Sequence, residues 1–288
     1  MVTETELALP GGRTLHVHDT GGPARLTVFW HHGTPNTGAP PGPLLPLAAE
    51  LGVRFVSYDR PGYGSSTPVP ERTVGNAAEC VEAVADALGI TTFALMGHSG
   101  GSSHALACAA LLPERVEAVA SLAAVAPFDA EGLDWFGGMA AASAASLRAA
   151  CEGRDAKEKH EAAAEFDPDV FTDEDMAVLQ GSWSWLGEVV RAALAGGPGG
   201  LIDDDLAYVR PWGGDPASIT APVLLLHGEL DRMIPATHSA WLAGRCPHAE
   251  YRPVPGAGHL SVLQHAATAL TWLADQGSRA TETTTGAR

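Results

Sequence analysis

Short runs of β-branched and large apolar residues alternate along this chain with longer stretches whose apolar positions recur at helical spacing. The runs TELAL and RTLHVHD, over about residues 5 to 18, are split by Pro10-Gly11-Gly12 and read as a β-hairpin. Further strands are expected over residues 26–31 (LTVFWH), 53–58 (VRFVSY), 91–96 (TTFALM), 116–125, 222–227 (PVLLLH) and 249–254. Helices are expected over residues 44–51, 73–88, 102–112, 236–244 and 262–274. The second of these has apolar residues at Val74, Ala77, Ala78, Val81, Val84, Ala85 and Leu88, and ends at a C-terminal glycine, Gly89.

Strand and helix in alternation imply an α/β fold whose mostly parallel central sheet is covered by helices on both faces. The alternation breaks after the sixth strand. Residues 127–216 are helical or irregular and hold four of the seven tryptophans, which predicts a helical cap over a site. The expected organisation is a core of residues 1–126 and 217–275, the cap at 127–216, and a disordered tail at 276–288. Gly196-Gly197-Pro198-Gly199-Gly200 is a candidate hinge within the cap. Asp203-Asp204-Asp205 reads as a solvated helix start or, less simply, as a site for a cationic substrate group.

Candidate chemistry sits in the loops that follow strands. Gly97-His98-Ser99-Gly100-Gly101 fits G-x-S-x-G between a strand and a helix, a turn that exposes a serine hydroxyl above the sheet edge. The glycines fit a tight corner at which Cβ atoms on residues 97 and 101 would clash. A serine hydroxyl needs an adjacent base, itself oriented by a carboxylate. Asp231 and His259 each follow a strand, and the order Ser99, Asp231, His259 suits a nucleophile, an orienting acid and a base. Asp129 is a rival acid; His227, His238, His248 and His265 are rival bases that lack a Gly-rich loop before the last helix. Thr34, in His31-His32-Gly33-Thr34-Pro35, and Gly100 are the candidate oxyanion N–H donors. His32, His98, Trp135, Trp183 and Trp185 are candidates for the substrate pocket. Asp59 falls in the turn-rich Asp59–Ser66 segment, where it is expected to hold the loop. His16 and His18 share a strand face; without a carboxylate companion they are read as structural, and no metal is expected.

Composition narrows the classes. A net charge of −17 disfavours nucleic acid and anionic membrane surfaces as partners. The four cysteines (80, 108, 151 and 246) lack C-x-x-C or zinc-ligand spacing. With no basic, apolar leader and no run of transmembrane length, a soluble cytoplasmic protein without membrane insertion is expected.

As an ordered set, the HGTP loop, the DRPGYGSS turn, the GHSGG elbow, the GELDRMIP acid loop and the GAGH histidine loop resemble the α/β-hydrolase fold family. The resemblance spans about residues 12 to 275. It implies a serine hydrolase that forms an acyl-enzyme, needs no cofactor, and acts on a small-molecule acyl substrate. Carboxylesterases, lactonases and proline iminopeptidases share these features. The last would require cap carboxylates such as Glu188 or Asp203 to hold a substrate amine. Epoxide hydrolases and dehalogenases use an aspartate nucleophile, which Ser99 disfavours. A binding protein or non-hydrolytic enzyme that retains the triad is the alternative from another class.

Overall fold

The computed structural model describes residues 2–285. Eight strands form one sheet: β1 (Thr3–Leu9), β2 (Arg13–Asp19), β3 (Leu26–His31), β4 (Val53–Tyr58), β5 (Phe93–His98), β6 (Val116–Leu122), β7 (Val223–Gly228) and β8 (Ala249–Val254). Their spatial order is β1-β2-β4-β3-β5-β6-β7-β8. The β1–β2 hairpin is antiparallel and β2 runs antiparallel to β4, while all other neighbours are parallel. This is the mostly parallel α/β sheet that the sequence pattern predicts, in the α/β-hydrolase fold that the motif resemblance implies.

The sheet is buried on both faces because its strands are apolar at odd and even positions alike. Along β3, Phe29 joins one hydrophobic cluster while Val28 and Trp30 join the other. Along β5, Leu95 and Met96 divide in the same way. The first face is covered by α2 (Ala77–Ala87) and α3 (Gly100–Leu111), through Val81, Val84 and Leu106. The second is covered by α1 (Leu45–Leu51) and α10 (Ala266–Thr285), through Ala48, Leu270 and Leu273. The backbone is helical through Thr285, into the segment expected as a disordered tail from residue 276. Residues 286–288 of that tail lie outside the described residues.

Between β6 and β7 lie α4 (Ala141–Cys151), α5 (Arg154–Ala163), α6 (Asp173–Gln180), α7 (Trp185–Leu194) and α8 (Gly199–Tyr208), with no strand among the described residues. α9 (Thr237–Arg245) follows β7. Ion pairs bind α8 to its surroundings. Asp203 meets Arg154, Asp204 meets Arg60 and Arg72, and Asp205 meets Lys157. The aspartate triplet is therefore not a solvated helix start, and each of its carboxylates already holds a cationic side chain. Lys157, fully buried, also bonds Ser146 and Glu161, so one ammonium ties α4, α5 and α8 together. The glycine-rich stretch is a poor hinge at its C-terminal end. A Cβ on Gly200 would sit 2.8 Å from the Gly62 carbonyl oxygen and 2.9 Å from the Tyr63 ring, so this glycine is an anchoring contact.

Candidate active site

The elbow is built as the glycines require. Ser99 has φ 55° and ψ −132°, a strained backbone for a residue with a side chain. Its N–H donates to the Leu122 carbonyl (2.8 Å) and its own carbonyl accepts from Ser102 N (2.9 Å), so strand and helix both pin the corner. A Cβ on Gly97 would strike the backbone of Gly101, and one on Gly101 would strike the carbonyls of His31 and His32.

Three loops bring Ser99, His259 and Asp231 into one line. His259 Nδ1 lies 2.7 Å from Asp231 Oδ2, and His259 Nε2 lies 2.9 Å from Ser99 Oγ. A carboxylate only accepts, so Nδ1 carries the proton and Nε2 offers its lone pair to the serine hydroxyl. The three residues are 8% (Ser99), 2% (His259) and 5% (Asp231) exposed, so water screens these bonds poorly. Burial disfavours the His259 imidazolium, but the charge of Asp231 and its hydrogen bond outweigh that penalty and raise the pKa above 6.5. Burial likewise opposes ionisation of Asp231, yet His259, His227 and their hydrogen bonds hold its carboxyl well below the usual range.

Asp231 is gripped at both oxygens. Oδ1 accepts from the N–H groups of Met233 and Ile234, each at 2.9 Å. Oδ2 accepts from His259 and also from His227 Nε2 at 3.1 Å. His227 is thus no rival base; it is a second imidazole on the same acid, while its Nδ1 accepts from the Ser239 hydroxyl at 2.7 Å. Of the other rivals, His238 is spent on Ala126 N and the Trp135 carbonyl, and His248 and His265 are exposed. Asp129 borders a different cleft, beside Trp212 and Arg245.

Two residues anchor the site in roles that the sequence does not reveal. Asp175, on α6, accepts from Leu260 N (2.9 Å), Ser261 N (2.6 Å) and Ser261 Oγ (2.7 Å), and so fixes the loop that carries His259. Asp204 fixes the Thr34 loop from the opposite side. Thr34 Oγ1 donates to Asp204 Oδ2 (2.6 Å) and accepts from Tyr208 (2.7 Å) and from Arg60 Nη2 (3.0 Å). The Arg60 guanidinium also donates to the carbonyls of His32 and Gly33, so the ion pair shapes the backbone of the loop itself.

Thr34, Pro35, Ser99 and Gly100 line one cavity of about 300 Å³. Its apolar walls come from Leu147, Val170, Phe171, Leu201, Met233 and Ile234, and Phe166 lies at its edge, 71% exposed. None of the five expected pocket residues lines it. His32 is buried with its ring between the Gly33 carbonyl and Arg60 N. His98 lies behind the histidine loop, where Nε2–H donates to the His259 carbonyl at 2.9 Å; burial, aided by the nearby His259, depresses its pKa to about 3. Trp135 packs on Phe128, Phe136 and His238 and donates to Ala126. Trp183 and Trp185 pack on each other and belong to the cluster on the α1 and α10 face. Indole rings in this insertion complete hydrophobic contacts, and smaller side chains surround the serine.

The sequence model for the alpha/beta hydrolase fold matches residues 27–266, and the chain belongs to that family. It is 29% identical over 287 residues to a 2-hydroxy-6-oxo-6-phenylhexa-2,4-dienoate hydrolase from Burkholderia cepacia, covering 92% of this chain and 91% of that one. A 34% identical match to an epoxide hydrolase from Caballeronia sordidicola covers 46% of this chain and 39% of that protein's length. Among solved structures, a thermophilic esterase from Thermogutta terrifontis superposes with a TM-score of 0.68 at 23% identity, over 96% of this chain and 99% of that one. The enol-lactonase from Burkholderia xenovorans LB400 gives 0.70 at 20% identity, over 94% and 99%. No helix among the described residues is long and apolar enough to cross a membrane.

Proposed function

We propose that this protein is a serine hydrolase that cleaves a carboxylic ester with a small to medium, partly apolar acyl group through an acyl-enzyme. The observation that carries the reading is the unbroken line from Ser99 through His259 to Asp231. As the Ser99 oxygen attacks the ester carbonyl, its proton passes to His259 Nε2, and Asp231 stabilises the imidazolium formed. The carbonyl oxygen becomes an oxyanion, held by the backbone N–H groups of Thr34 and Gly100; each such donor is worth about 2.7–4 kcal/mol. The C–O bond breaks, His259 returns the proton to the departing alcohol, and water repeats the sequence to release the acid. The apolar cavity walls support the acyl preference, and an esterase and a lactonase stand among the similar structures.

An aminopeptidase reading is less well supported. Asp203 is taken by Arg154 and Glu188 is exposed, away from the cavity. Of the four carboxylates that line it, Glu161 and Asp205 both bind Lys157, Asp167 accepts from Asp169 N, and Glu165 is exposed. Treatment with a fluorophosphonate probe, read by intact mass, tests the hydrolase reading: one adduct on the wild type and none on Ser99→Ala. A folded wild type that takes no adduct would sink it and favour a protein that binds without turnover.

The rate is expected to depend on pH through His259, which is a base only when neutral. Because its pKa is raised above 6.5, kcat/KM is full above that raised pKa and is lost as pH falls through it. His227→Leu removes a competing donor from Asp231 Oδ2, leaving more of its charge to His259. The acidic limb then moves to higher pH, whereas His227→Gln, which keeps an N–H donor, moves it less. Identical limbs in wild type and His227→Leu would contradict this coupling.

A further inference from the structure

The β1–β2 hairpin carries a cluster with no part in the acyl chemistry. Its register sets Glu4 opposite His18 and Glu6 opposite His16, and the two imidazole rings lie 4.6 Å apart. The carboxylate companion that the sequence reading found missing is supplied twice by the fold. Asp59, buried beneath the hairpin, accepts from His16 Nδ1 through Oδ2 (3.0 Å) and from His18 Nε2 through Oδ1 (3.1 Å). In the neutral imidazoles those nitrogens therefore carry the protons, and lone pairs remain on His16 Nε2 and His18 Nδ1. Both face Glu4, whose carboxylate oxygens lie 3.4 Å from His16 Nε2 and 3.9 Å from His18 Nδ1. His18 is only 4% exposed, and its Nδ1 has no hydrogen-bond partner. A buried lone pair without a donor is costly. A cation would satisfy it.

We propose that Glu4, His16 and His18 form a binding site for a divalent transition cation of the zinc type. The ligand atoms would be His16 Nε2, His18 Nδ1 and a Glu4 carboxylate oxygen, with solvent completing the shell. All three candidate ligand atoms lie within 4.8 Å of one another. Tetrahedral coordination at about 2.0–2.1 Å sets its ligands roughly 3.3 Å apart. Exposed Glu4 and half-buried His16 have the freedom to close that gap. Two imidazoles and one carboxylate suit a borderline cation, whereas calcium and magnesium favour all-oxygen shells. Asp59 supplies the outer carboxylate that fixes both ring tautomers and orientations. The same Asp59 accepts from Gly38 N and directly precedes Arg60, which holds the Thr34 loop. A bound cation would thus fasten the edge hairpin to the end of β4, in a structural role.

The test is calorimetric titration of zinc into the full chain after chelator treatment, with thermal unfolding alongside. One zinc per chain and a raised Tm, reversed by EDTA, are expected. Glu4→Gln is expected to weaken binding at least about tenfold, and His16→Gln to abolish it. Both side chains are at or near the surface, and an unchanged fluorophosphonate adduct in each variant shows that the fold survives. Absence of binding to wild type, or binding unaltered in both variants, would overturn the proposal and leave the cluster an ion pair.

Discussion

Ser99→Ala lowers kcat on a carboxylic ester by about 10⁴-fold or more, while the thermal midpoint stays within a degree or two of wild type. The two halves of this expectation have separate causes. Chemically, the substitution removes the hydroxyl proposed as the nucleophile, which lies 2.9 Å from His259 Nε2. Structurally, little changes: the corner at φ 55° is as strained for alanine as for serine, and the backbone bonds to Leu122 and Ser102 remain. His259→Ala is expected to cost a similar factor, and the double variant scarcely more than either, because nucleophile and base act as a unit. Steady-state kinetics with unfolding curves on the same preparations decide the matter. If Ser99→Ala retains more than about a hundredth of the wild-type kcat, another nucleophile is at work and the proposed function fails.

What could be read from the sequence is what is decided locally. The elbow was legible because the steric demand of the corner falls on Gly97 and Gly101, residues adjacent in the chain to the serine they serve. His259 and Asp231 were legible because chain order and loop position after a strand suffice to place them. The triplet at residues 203–205 was not, since a run of aspartates has the same local pattern whether it faces water or guanidinium groups. Its partners Arg60 and Arg72 lie 144 and 132 residues away, and only the tertiary fold makes the difference. Asp175 was missed for the same reason, because it reaches the histidine loop across 85 residues of chain. The tryptophans misled in a different manner. Aromatic content marked an insertion that buries apolar surface, but which surface it buries is decided by packing on the sheet, so Trp183 and Trp185 went to a core cluster. At the hairpin, His16 and His18 have no carboxylate companion on their own strand face in the sequence. Strand register supplied Glu4 from the neighbouring strand, and sheet order supplied Asp59 from farther along the chain.

Asp204→Asn should be the most destabilising single exchange in the insertion, costing about 3–5 kcal/mol. Asp204 is fully buried and receives Arg60 Nε (3.0 Å) and Nη2 (2.5 Å), Arg72 Nη2 (2.6 Å), Tyr63 OH (2.8 Å) and Thr34 Oγ1 (2.6 Å). Burial opposes its charge, but the two guanidiniums outweigh burial and hold its pKa well below the ordinary value. Neutralising it strands Arg60 and Arg72, 2% and 4% exposed, without a carboxylate, and that uncompensated charge is the dominant cost. In a chain of this size the loss corresponds to a Tm lower by roughly 5–8 °C. The neighbour Asp203 supplies the internal control. Its partner Arg154 is 40% exposed at the side chain, so Asp203→Asn should cost no more than about 1 kcal/mol. Asp204→Asn should also reduce kcat more than it raises KM in the protein that remains folded. Arg60, released from Asp204, no longer holds the carbonyls of His32 and Gly33, and the Thr34 N–H then loses its alignment with the oxyanion. Equal melting of the Asp203 and Asp204 variants would show that the clamp bears no weight. Normal kcat in a destabilised Asp204→Asn would separate its structural part from the catalytic one.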